Sequence, residues 1–61
     1  MNDPTKEQAK LAADYLRRVH DLSLRKLAGR MGCSASKAQN MEAPDVRRFV
    51  VKLAGQYGWK K

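Results

Sequence analysis

SLRKLAGRMGCSASKAQNME, residues 23–42, is the stretch on which the fold turns. Leu24, Leu27, Ala28 and Met31 repeat with helical period and form the inner stripe of one short helix. Ser23 is an N-cap residue for it, and Leu22 and Leu27 have the spacing of a hydrophobic staple, which fixes the angle of entry. Gly32 ends this helix, because the left-handed corner it must make costs little only for glycine. Ser34 is again an N-cap type and opens a second helix, expected over residues 34–42, with Ala38 and Met41 turned inward and Cys33 filling the corner. Its other positions are small or polar, so few core contacts hold it. Its outer face, with Ala35, Ser36, Lys37, Gln39 and Asn40, is left for another use.

The flanking segments are helical as well. Before the corner, either Asp3 caps a helix with Pro4 at its first position, or Thr5 caps it with Gln8 three residues on. Ala9, Ala12, Ala13, Leu16 and Val19 then recur at helical spacing, with Leu11 and Tyr15 on the flank, and the pattern ends near His20. After the corner, Pro44 pushes Ala43 away from helical angles. Val46, Phe49, Val50, Leu53, Ala54 and Tyr57 follow at offsets 0, 3, 4, 7, 8 and 11, the strongest periodic signal in the chain. Gly58 stops this helix and Trp59 folds back on its last turn. With no strand-like alternation and no internal repeat, the expected fold is all-α: one compact four-helix domain over residues 1–61, the last helix spanning 44–57.

Composition narrows the functional classes. A chain this short buries only about 60% of the surface its unfolded form exposes. Cys33 is the sole cysteine, so no internal disulfide is available. His20 has no second ligand close in sequence, so neither a metal nor a cofactor is expected. Enzyme readings lack a nucleophile–base pair, paired carboxylates at useful spacing and a glycine-rich phosphate loop. The longest apolar run is Phe49-Val50-Val51, far short of a membrane span, and the polar MNDPTKEQAK start carries no signal-peptide pattern. A cytoplasmic location with a reduced thiol is expected. The net charge is +7 and lopsided. Up to residue 22 the charges cancel; from residue 23 on, nine Lys and Arg stand against Glu42 and Asp45. That confinement points to a polyanionic partner.

At this point the residues look familiar. LSLRKLAGRMGCSASKAQNMEA, from Leu22 to Ala43, resembles the helix-turn-helix of Cro/repressor-type (Xre-like) transcriptional regulators. The likeness lies in Leu27-Ala28, Gly32 at the turn, Ser34 opening the second helix, apolar Ala38 and Met41, and Glu42 closing it. PDVRRFVVKLAGQYGWK is similar to the helix that follows the motif in small phage repressors and some antitoxins. The resemblance implies that helix 34–42 enters the major groove of double-stranded DNA. It assigns base contacts to Ala35, Ser36, Lys37, Gln39 and Asn40 and phosphate contacts to Arg25, Lys26, Ser34, Arg47 and Arg48. It also implies a repressor acting as a homodimer, with Val51, Tyr57 and Trp59 as the dimer or partner surface. Many members carry glutamine where this chain has Leu24 and Ala35; leucine makes no phosphate hydrogen bond, and alanine offers only a methyl contact. A second reading keeps the same frame but makes it a protein-binding module, a small inhibitor whose C-terminal apolar surface holds a toxin or host protein.

Overall fold

In the computed structural model, which describes residues 3–60 apart from the Asn40 side chain, the chain runs as α1 (Lys6–His20), α2 (Leu24–Met31), α3 (Ala35–Asn40) and α4 (Pro44–Gln56). The described residues form an all-α fold without strands.

Each helix end is closed by the residue chemistry at that point. Of the two starts open to α1, Thr5 is the one used. Its Oγ1 accepts from the Gln8 amide at 3.1 Å while its own amide donates to Gln8 Oε1 at 3.0 Å, a reciprocal capping box. Ser23 and Ser34 cap α2 and α3 one way only, their hydroxyl oxygens accepting from the Lys26 and Lys37 amides. At Gly32, φ is +74°, the Cys33 amide donates to the Ala28 carbonyl and the Gly32 amide to that of Gly29, which is a Schellman closure. A Cβ at Gly32 would meet nothing within 4 Å, so backbone angle alone demands glycine there. The same closure recurs at Gly58 (φ +102°), where the Trp59 amide donates to Ala54 and the Gly58 amide to Gly55.

The core is built where α1 and α4 lie side by side, running in the same direction. Their N-terminal ends meet through Asp3–Arg48 and Lys6–Glu42, and their C-terminal ends through Tyr15 and Tyr57. Ala9, Ala12 and Ala13 let the two helices approach closely, and Leu16, Val46, Val50 and Ala54 fill the seam. Leu27, Ala28, Ala38 and Met41 bring α2 and α3 onto it, and Leu22 is buried with Leu27 as the staple requires.

Several expectations need correction. Val19 is 60% exposed rather than inward, because α4 ends at Gln56 and in the last turn of α1 it is His20, not Val19, that packs against Tyr57. Leu24 and Met31 are half-buried, at the edge of the α2 stripe. The third helix ends two residues earlier than expected, and Ser34 stands outside it as the cap. It stops at Asn40, and Met41 takes a left-handed φ of +55° with its side chain in the core. The cause lies downstream. Ala43 is held extended before Pro44, so residues 41–42 must turn the chain, and Arg47 Nη1 takes both the Met41 and Glu42 carbonyls at 3.1 Å.

Candidate nucleic-acid interface

The corner has the form the sequence suggests: α2 packs on α3, with Gly32, Cys33 and Ser34 alone between them. Ala38 is fully buried and fixes the rotation of α3. Ala35, Ser36, Lys37 and Gln39 are all exposed, and the Asn40 side chain lies outside the described residues.

The rotation of α3 sorts these residues onto different sides. Gln39 looks into a cleft against α1, where Lys10, Asp14 and Arg17 stand over a floor of Ala13, Leu24 and Met41. Lys37 looks the other way, into a cleft with Arg30 and Asp45 over Met31, Val46 and Phe49. Its ammonium lies 3.6 Å from Asp45. Lys37 and Gln39 therefore do not share a face; they sit on the two flanks of the helix. Ser36 lies between them on the helical wheel.

The residues assigned to phosphates are divided in role. Arg25 is exposed and makes no ion pair among the described residues. Lys26 donates to the Asp21 carbonyl at 3.0 Å and lies 3.7 Å from its carboxylate, which ties it to the α1–α2 connection. The Ser34 hydroxyl oxygen is occupied as the cap of α3. Arg48 pairs with Asp3 at 2.6 Å on the surface. Arg47 is half-buried and holds the α3–α4 turn; its Nε finds no partner among the described residues. Arg47 is thus tied to two carbonyls of its own chain, whereas Arg25 has its whole guanidinium available.

Val51, Tyr57 and Trp59 are half-buried against their own core. Tyr15 donates its hydroxyl proton to the Tyr57 carbonyl at 2.8 Å. With that proton committed, the 3.2 Å contact from His20 Nε2 to the Tyr15 oxygen is one in which Nε2–H donates. The His20 ring sits edge-on to both tyrosines, with centroids at 5.3 and 4.6 Å. The large apolar side chains most exposed to solvent are Leu11 (56%) and Val19, both on α1.

Three cations beside α3 escaped the sequence reading: Lys10, Arg17 and Arg30. Lys10 and Arg17 are seven residues apart and so share a helix face, a spacing visible in the sequence. The zero charge balance up to residue 22 hid it, because only tertiary packing brings that face against α3.

No helix among the described residues is long and apolar enough to cross a membrane. Comparison of the chain with protein-family models, curated proteins and solved structures gives no match.

Proposed function

We propose that the chain is a sequence-specific DNA-binding regulator of the Cro/repressor type, a small cytoplasmic repressor of phage or mobile-element kind that acts as a dimer and lays α3 in the major groove. The observation that carries the reading is the α2–Gly32–α3 corner, from which a six-residue helix presents polar side chains while one fully buried alanine sets its rotation. The excess of positive charge in the same half of the chain supports it. Ser36, between the two flanks, and Gln39, on the α1 flank, are the exposed hydrogen-bonding side chains of α3 for base edges, and Asn40 follows Gln39 in sequence. The protein-inhibitor alternative relies on Val51, Tyr57 and Trp59, and their half-burial against the chain's own core weighs against it.

Fluorescence anisotropy of labelled DNA pools, read at low and moderate salt, tests the proposal. Enrichment of a short palindrome is expected. Each phosphate contact contributes a log–log salt slope of about −0.9, so affinity should fall steeply as salt rises. The Gln39→Ala/Asn40→Ala variant should lose roughly 1–3 kcal/mol per base contact on the enriched site and little on random DNA. Absence of binding, or equal binding to every sequence by parent and variant, would overturn it.

A further inference from the structure

We infer that Lys10 and Arg30 are the residues that take the phosphates of the two DNA strands, one on each side of α3; this rests on the groove-insertion reading above. An α-helix with its side chains is about 10–12 Å across, and the major groove is about 12 Å wide. A helix lying in the groove therefore fills it, and each strand's backbone meets whatever flanks that helix.

Here both flanks are clefts of the same make-up. On the α1 side, Asp14 is engaged by Arg17 at 3.1 Å and, from outside the cleft, by Arg18 at 3.0 Å, and Lys10 makes no ion pair among the described residues. On the α2–α4 side, Lys37 is held by Asp45 at 3.6 Å, and Arg30 is the cation with no ion pair among the described residues. In each cleft the carboxylate is already engaged by arginine or lysine, so the cation free to meet a phosphate is the one without an ion pair. The two unpaired cations come from different helices, and α3 lies between the clefts they line.

Lys10 reaches from the half of the chain whose charges cancel, so its part is invisible in any count of charge along the sequence. Lys37 changes role as well. Paired to Asp45 on the flank, it belongs to the wall of the groove rather than to its floor.

The experiment is the salt dependence of DNA affinity for the full chain and for Lys10→Gln, Arg30→Gln and the double variant, with circular dichroism confirming the helical fold of each. Lys60→Gln, which removes the same charge beyond the C-terminal end of α4, is the control. Each flank variant should lower the log–log slope by about 0.9 per bound monomer and the double variant by about twice that, while Lys60→Gln leaves it unchanged. If the parent chain binds DNA with a steep slope but the flank variants behave like Lys60→Gln, the inference is overturned and the DNA reading stands. A change in only one of the two equally overturns the two-strand arrangement. If the parent does not bind DNA at any salt, both fall together.

Discussion

At the scale of single residues, two non-glycine positions share one backbone conformation and have opposite stakes in it. Asp21 and Met41 both sit at φ +55°. The Asp21 side chain is fully exposed, so Asp21→Gly relieves the left-handed strain at the end of α1 and gives up only a surface ion pair, which is worth little. A gain of about 0.5–1 kcal/mol is expected. Met41 is 1% exposed. Met41→Gly would gain roughly 1–2 kcal/mol of backbone relief but forfeit about 2–5 kcal/mol of packing, so it should destabilise. Urea unfolding of the two variants gives the signs; a stabilised Met41→Gly would show that the buried side chain contributes less than the strain. Tyr15 is the other decisive residue. Tyr15→Phe leaves the Tyr57 carbonyl without its donor and His20 Nε2 without its acceptor, at about 1–3 kcal/mol. In a domain of this size each kcal/mol lowers Tm by about 4–8 °C, readily seen in a thermal melt followed by circular dichroism.

At the scale of elements, the short α3 is held from outside itself. Six residues are too few for a helix to persist in water on propensity, so its order comes from the Ser34 cap, from burial of Ala38 and from Arg47 on the carbonyls beyond its end. Arg47→Gln separates a structural role from a DNA role. Glutamine removes the charge and is too short to reach the Met41 and Glu42 carbonyls that Arg47 Nη1 holds, so stability should fall by about 1–2 kcal/mol. The salt slope of DNA binding should stay as it was, because no phosphate contact is lost. A reduced slope with unchanged stability would place Arg47 on the DNA instead. The helix ends themselves were readable residue by residue, since caps and Schellman turns depend on neighbours within a few positions. The end of α3 was not, because Arg47 and Pro44 act on it from the next helix.

At the scale of the whole molecule, a charge of +7 on a chain of 61 residues sets two salt dependences of opposite sign. DNA binding weakens as salt rises, through lost counterion release. Self-association brings two like-charged copies together, so it strengthens as salt screens them. Sedimentation at 0.05 and 0.5 M salt should show a larger dimer fraction at the higher value. The reverse order would mean that the copies join through complementary charges rather than apolar surface. The apolar surface also lies elsewhere than the last helix suggested. Val51, Tyr57 and Trp59 are partly covered by their own chain, while Leu11 and Val19 on α1 stand open.

The sequence by itself determined the four helices, the caps at Ser23 and Ser34, the stops at Gly32 and Gly58, and most of the core, because each depends on residues within a turn or two of one another, while the cap of α1 stayed open between Asp3 and Thr5. It also carried the polar face on the helix after the corner. Tertiary structure alone decided which flank of α3 each polar residue would take, that Arg47 would face its own backbone, that Lys10 would stand opposite Gln39, and that Val19 would be left in solvent. Those outcomes follow from how α1 and α4 lie against each other and where each one ends, and no local pattern encodes a distance between helices far apart in the chain.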